Sequence, residues 1–391
     1  MSHQFDSFMP NKTELMKILD EKYYDILNLL EKPDDKVEHE HMSLIFCLII
    51  FNDLEKEGKI NNEIKIENVF KIIEKEYGNK QIIEKINGEN IDILPLMTSI
   101  ISSCPIDSDR MDYLLRDSYF SGVKCGIYDY NRLFMSIVPV KEDAKLFLAY
   151  KESGIDSIAE FINARSSLFA QVYYHKTNRA FSSMLNKLCD NMLAEYRENL
   201  IISEIYDEDT TSSNTDSSEA LIKFYLDCSD DYFLNEKIAE WIDLTETENK
   251  NAKILDDIIN RHPWSKVYEA KHYIRNIKIT DRDDGYLRKN LQKKLSEILD
   301  LHIEKHLYAI DIVSDTAFKD INKTEVKLLI KSINNKYEIK KIVDCDDKLN
   351  QYQIIKYFIR VFIDRDEKDK IPPELLNEIN DVVMREINKE P

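Results

Sequence analysis

IDSDRMDYLLRDSYFSGVKCGIYDY, residues 106–130, is the stretch that decides how this chain reads. Asp109, Tyr113 and Asp117 stand at i, i+4 and i+8, so on a helix all three project from one face. Arg110 lies on the flank of that face, and Met111, Leu114 and Leu115 supply the apolar side. A stripe of acid, phenol and acid beside an arginine can ligate a metal, grip a sugar hydroxyl and meet a phosphate. The same spacing also fits a solvated acidic face with i,i+4 pairs.

Outward from this block the apolar residues keep helical steps. Segments 14–30, 42–54, 109–121, 156–200 and 283–306 all repeat at three and four residues, which predicts a large helical body over residues 1–300. Within it, DEDTTSSNTDSSE (207–219) reads as a flexible acidic loop, because Ser, Thr and Asp favour turns. From about His306 the pattern changes. HLYAIDIV, YEIKKIV and YFIRVFI are short, β-branched and aromatic, and predict a small sheet. PPELLNEINDVVMREIN (372–388) predicts an amphipathic helix opened by proline, with Leu375, Leu376, Ile379, Val382 and Val383 on one side. The expected fold class is mainly α: a helical body, then a smaller α+β lobe over 301–391. In RHPWSKVYEAK (261–271), Pro263 is expected to open a helix, with a subunit contact or effector pocket as the other reading of its basic and aromatic residues.

Two further constellations carry chemistry. In NARSSLFAQVYYHK (163–176), Arg165, Phe169, Tyr173 and Lys176 fall at i, i+4, i+8 and i+11. Two cations among aromatics suit a phosphorylated, ring-bearing ligand, and they equally suit an aromatic core stripe with snorkelling cations. Near the start, His39 and His41 flank Glu40, with His3 ahead of them. An HxH pair is a fragment of a metal site or an ordinary histidine pair, since a functional site needs a full ligand set.

Composition narrows the chemistry. The 391 residues hold only 7 glycines, and neither GxGxxG nor GxxxxGK[ST] occurs, so phosphates must be met by side chains or metal ions. A net charge of −19 argues against duplex nucleic acid as a partner while leaving room for a local basic pocket. Six widely spaced cysteines without a CxxC read as free thiols. The first residues have no signal-peptide pattern, and the longest apolar run, 44–51, is far short of the ~20 residues that cross a bilayer. A cytoplasmic protein without a membrane partner is expected.

Taken together, these segments resemble the HD-domain deoxynucleoside triphosphate triphosphohydrolases, the family of bacterial dGTPases and the sterile-α-motif/HD-domain dNTPase. IDSDRMDYLLRDSYFSG is close to that family's (I/V)DxDRxDYxxRDxxxxG segment, and YDYNRL continues it. RSSLFAQVYYHK is similar to its RxxLxxxVYxHK helix. VEHEHMS resembles the HE element after the HD motif, MSHQFDSF the stretch directly following that motif, and IRVFID the C-terminal lobe. The likeness covers nearly the whole chain and implies an HD-domain-like helical body.

Position by position, the resemblance implies that Asp109 is the last metal-ligating aspartate and that Arg110 contacts the triphosphate. It implies that Tyr113 and Asp117 hold the deoxyribose and its 3′-hydroxyl, that Arg165 contacts phosphate, and that Tyr173 lies beside sugar and base. Lys176 closes the motif as a further substrate contact. His3 and His39 match histidines near the scissile phosphate. Phe169 stands where the sterile-α-motif type has a histidine. The family site is completed by a divalent metal (Mn, Mg, Fe or Zn) held by H…HD…D, and its first histidine and HD pair are not among these 391 residues. The expectation is therefore a dNTP-binding protein whose hydrolytic centre is incomplete alone. Its implied partners are a deoxynucleoside triphosphate, further copies of itself in a homo-oligomer, and a separate HD-containing piece; a non-catalytic deoxynucleotide-binding subunit or a truncated gene fragment is the alternative.

Overall fold

The computed structural model describes residues 8–61, 63–74, 81–101, 106–195, 200–202, 217–244, 248–275, 281–316, 326–332, 334, 336–342, 345 and 354–388. These are mainly α-helical. The helices are α1 (Lys12–Ile18), α2 (Tyr24–Leu27), α3 (His39–Lys56), α4 (Ile66–Ile73), α5 (Leu94–Ile101), α6 (Ser108–Ser121), α7 (Tyr130–Ser136), α8 (Ile155–Leu168), α9 (Lys176–Glu195), α10 (Ser217–Asp227), α11 (Asp230–Tyr232), α12 (Ile238–Ile242), α13 (Glu248–Ile259), α14 (Asp281–Leu299) and α15 (Pro373–Ile387). The strands are β1 (Ile83–Ile86), β2 (Glu89–Asp92), β3 (Ile137–Glu142), β4 (Lys145–Lys151), β5 (Ser265–Arg275), β6 (Tyr308–Thr316), β7 (Lys327–Lys331), β8 (Tyr337–Lys341) and β9 (Ile354–Ile363). No helix among the described residues is long and apolar enough to cross a membrane.

Helix ends follow local chemistry. Asn11 and Glu14 form a reciprocal capping box at α1. At α6, the Asp107 carboxylate accepts the Arg110 N–H at 2.8 Å, and Gly122 ends the helix in the left-handed region at φ 71. Pro373 opens α15 as the sequence predicts, and Leu375, Ile379 and Val383 are buried.

The strands divide into two sheets. β4 carries β3 along one edge; along the other it meets β2 at its start, Asp92 opposite Lys145, and β7 at its end, with β8 beyond. β1 and β2 are a hairpin whose two-residue turn, Asn87-Gly88, has φ of 51 and 86, the paired positive values of a type I′ turn. The second sheet is antiparallel in the order β5-β9-β6. On β9, Ile359, Val361 and Ile363 join the cluster made with α14 and α15, while Phe362, one step out of phase, joins the N-terminal helical core, the period-2 alternation of a strand covered on both faces. A third cluster joins Leu114, Phe161, Ile162 and Leu168 to Val326 and Leu328.

Several expectations change. The body over 1–300 contains strands β1–β5, and strand pairing crosses residue 300 in both sheets: β7 pairs with β4, and β9 with β5. The three β-rich C-terminal stretches do not share one sheet, because β8 pairs with β7 whereas β6 and β9 pair with each other. Pro263 precedes strand β5, not a helix. The run 156–200 breaks at 174–175, after a π-helical turn at Phe169–Tyr173. Of the acidic loop, 207–216 lies outside the described residues and 217–219 begins α10.

Candidate functional site

Three pieces of chain bring the sequence-predicted residues together: the first three turns of α6, the end of α8 with its π-helical turn, and the end of β6. Arg165 is 8% exposed. Its guanidinium lies over the Phe169 ring, 4.3 Å from the centroid, and Asp315 Oδ1 of β6 stands 3.8 Å away. Tyr113 meets Phe169 and Tyr173 edge-on, at centroid distances of 6.4 and 6.2 Å, and hydrogen-bonds with Arg165. Phe169 and Tyr173 are themselves 4.8 Å apart. The result is a ledge of three rings with one guanidinium on it, within cation–π range.

The second half of the site is a phenol–carboxylate pair. Tyr173 donates its hydroxyl proton to Asp117 Oδ2, and Arg116 Nη1 lies 3.0 Å from Asp117 Oδ1. A carboxylate oxygen has two lone pairs, so each Asp117 oxygen retains one for an incoming hydroxyl. Burial, then the Asp117 hydrogen bond, pushes the Tyr173 phenol well up; burial also raises Tyr113, against the opposing pull of Arg165 and Arg110. Both phenols are neutral donors at neutral pH. Arg110 pairs with the Asp107 carboxylate, whose own pKa burial raises.

The π turn fixes this geometry. A helix repeat of 3.6 lets positions 165, 169 and 173 drift apart, whereas the wider turn at 169–173 keeps them in line. Its end is tied to the second sheet: Arg360 donates to the Tyr174 carbonyl at 2.8 Å, the Tyr174 ring lies 5.6 Å from that of Phe358, and Lys356 donates to Ser166 Oγ at 3.1 Å. Burial raises the Tyr174 hydroxyl to about 12.

The remaining predicted residues stand at the margin of the ledge or away from it. Lys176 is exposed at the first position of α9, past the break, so it does not continue the face of Arg165 and Tyr173. Asp109 is exposed on the first turn of α6. His39 is exposed at the start of α3, its Nε2 3.2 Å from the Glu40 carboxylate, on a helix packed against α2 and α4; His41 is buried and its Nδ1 accepts the Glu38 N–H as a cap. His3 lies outside the described residues. Among the described residues, no group of three or more His, Cys, Asp or Glu side chains is arranged to hold a metal ion. A divalent ion needs several ligands in fixed geometry. Asp315, Arg360 and Lys356 carry no local signal in the sequence: strand pairing places them, and the residues they meet at the site, Arg165, Tyr174 and Ser166, lie more than a hundred residues away.

No family model matches this chain. It is 25% identical over 334 residues to an uncharacterized protein of Methanocaldococcus jannaschii, a match covering 80% of this chain and 71% of that protein. It is 35% identical over 122 residues to the uncharacterized protein YwfO of Bacillus subtilis, which takes in 31% of this chain and 24% of that protein. A 109-residue match to an uncharacterized protein of Mycoplasma pneumoniae is 31% identical and covers 27% of this chain and 25% of that one. The chain thus aligns with about a quarter of the length of the Bacillus and Mycoplasma relatives. Among solved structures, a hypothetical protein from Aquifex aeolicus superposes with a TM-score of 0.51 at 17% identity, over 93% of this chain and 75% of that chain, which is a likeness of fold.

Proposed function

We propose that this chain binds a deoxynucleoside triphosphate on the α6–α8 ledge, and that it is an HD-type dNTP triphosphohydrolase by ancestry with no turnover by itself. The observation that supports the reading is the ledge: a nearly buried guanidinium over the Phe169 ring of a three-ring cluster, next to a phenol–carboxylate pair. In this reading Arg165, with Arg110 on the flank, meets phosphate oxygens. Asp117 accepts the 3′-hydroxyl with its remaining lone pairs, and the Tyr113 ring closes the space beside C2′, where a ribose would carry a second hydroxyl. Tyr173 donates to Asp117 and so fixes the carboxylate. A divalent ion, when bound, would supply the activated water of the family's reaction, and Asp109 is the one carboxylate among the described residues that would help hold it.

Calorimetric titration of dGTP and of GTP, with and without Mn²⁺, tests this on the full chain. Arg165→Met should weaken both ligands by about tenfold or more, the loss of a hydrogen bond to a charged partner. Tyr113→Ala, which removes the ring and opens that space, should mainly narrow the gap between dGTP and GTP. A wild-type protein that binds neither nucleotide, or an Arg165→Met variant that binds dGTP as the wild type does, refutes the assignment. Separately, the chain alone should release no triphosphate from dGTP. Turnover by the chain alone would refute the incomplete centre and leave the binding assignment standing.

A further inference from the structure

A second cavity, of about 410 Å³, opens between α9, α14 and β6, the edge strand of its sheet among the described residues, within the size range of small-molecule sites. None of the α6–α8 ledge residues lines it. Its α9 wall is Ser183, Asn186, Lys187 and Asp190, an i, i+3, i+4, i+7 face, and α14 contributes Gln292 and Ser296. The charges in this wall are unevenly committed. Arg179 is clamped on Asp311, with Nη2 to Oδ1 at 2.5 Å, and Lys305 stands 3.4 Å from Asp300. Lys187 is different: among the described residues no carboxylate lies within 4 Å of its ammonium, whose one close companion is the Tyr308 ring, 5.3 Å from the centroid. Asp190, a turn further on, acts on it only at longer range.

Among the described residues this half-buried ammonium has no carboxylate in contact, the partner that normally accompanies burial of charge. Burial accordingly pushes the Lys187 ammonium down from its ordinary pKa, against the weaker pull of Asp190 and Asp300. The neutral groups of the lining are the Ser183 and Ser296 hydroxyls and the Asn186 and Gln292 amides, each able to donate; of the lining carboxylates, Asp311 is engaged by Arg179 and Asp300 by Lys305, which leaves Asp190. A cation with no carboxylate in contact among the described residues, sharing a polar hollow with hydroxyl and amide donors, is complementary to an oxyanion.

We propose that this cavity is a second ligand site, which takes a small metabolite bearing an oxyanion and anchors it on Lys187. Phosphate and carboxylate share the required chemistry. The site is independent of the ledge, and its existence does not depend on the dNTP reading.

The test follows Lys187 itself in the full-length wild-type chain. A limiting amount of a lysine-acylating reagent is applied in chloride, inorganic phosphate or citrate at matched ionic strength, and labelling at Lys187 is read by mass spectrometry. The site predicts that labelling falls at least threefold in phosphate or citrate relative to chloride, while exposed Lys176 labels equally throughout. Protection by phosphate alone assigns phosphoryl ligands, and protection by citrate alone assigns carboxylates. Protection by neither overturns the proposal. Calorimetry with the protecting anion adds a second readout: Lys187→Met should weaken it about tenfold, whereas Lys187→Arg retains binding. Equal affinity in wild type and Lys187→Met overturns the assignment to Lys187.

Discussion

Replacing Arg360 by methionine removes the donor that ties the second sheet to the end of the π turn. The side chain is 2% exposed and donates to Glu269 Oε1 at 2.9 Å, Asp311 Oδ2 at 3.3 Å and the Tyr174 carbonyl at 2.8 Å. Methionine fills much of the same volume and donates nothing. Stripping one partner from a buried ion pair costs about 3–5 kcal/mol when the other is left bare. Here Asp311 keeps Arg179 and Glu269 keeps Lys266, so the cost falls towards the lower end. The Tyr174 carbonyl is left without this donor, and an unpaired buried acceptor costs about 1–3 kcal/mol. A total near 3 kcal/mol is expected from urea unfolding at pH 7. Glu269 adds a second signature. Burial pushes its carboxyl up, but hydrogen bonds from Lys266 and Arg360 outweigh that and hold it at about 2, below the usual 4.5. A carboxylate held down in the folded state stabilises the fold above its unfolded pKa, and that stability is lost as pH falls from about 4.5 towards 2. In Arg360→Met the depression shrinks, so less stability should be lost between pH 5 and pH 3 than in the wild type. A loss below about 0.5 kcal/mol at pH 7, or equal acid losses in the two proteins, refutes this account.

Two packing predictions probe α6. In Gly126→Ala the new Cβ would stand 2.6 Å from the Leu114 carbonyl oxygen, which is helix backbone, so α6 must shift; about 1–3 kcal/mol of stability and a measurable part of dGTP affinity should go. Gly122→Ala meets nothing within 4 Å and bears only the strain of its φ of 71, about 1–2 kcal/mol, with dGTP affinity unchanged; equal effects on binding would refute the difference. Tyr128→Phe removes a hydroxyl that donates to the Met111 carbonyl at 2.9 Å and should cost about 1 kcal/mol in urea unfolding. Spectrophotometric titration should show that variant losing one phenol that ionises only near pH 12, raised by burial.

What the sequence revealed was local. The i, i+4 spacing of Tyr113 and Asp117 and of Arg165, Phe169 and Tyr173 was enough to place each set on one face, because a helix turns its own sequence into geometry. Lys176 marks where that rule ends: spacing cannot see a break at 174–175, so the face was extended too far. The Asn87-Gly88 hairpin carried a readable signal, a turn dipeptide between β-formers, that helical periodicity overshadowed. Pro263 illustrates an ambiguity, since its fixed φ suits a first helical turn and the approach to a strand alike. Asp315, Asp311 and Arg360 were illegible for another reason. Each lies on an apolar strand, and its partner is fixed by sheet register rather than by any neighbour in sequence.

That register changes what a boundary at residue 300 can mean. β9 lies between β5 from before the boundary and β6 from after it, and β7 completes the edge of β4. Asp315 on β6 faces Arg165 on α8, and Asp311 on the same strand accepts from Arg179 on α9 and from Arg360 on β9. Positions 311 and 315 are four apart on a strand and so share one side of it. One face of one strand therefore presents carboxylates to the cations of two helices, at the candidate site and at the wall of the second cavity. A separate lobe would meet the helical body through a surface that could part. This one inserts two buried carboxylates that neutralise buried arginines, and parting would leave both signs of charge stranded, at a cost of several kcal/mol for each pair. The C-terminal strands are thus part of what holds Arg165 on its ledge, and a ligand-binding role for α8 depends on residues that no reading of α8 alone would include.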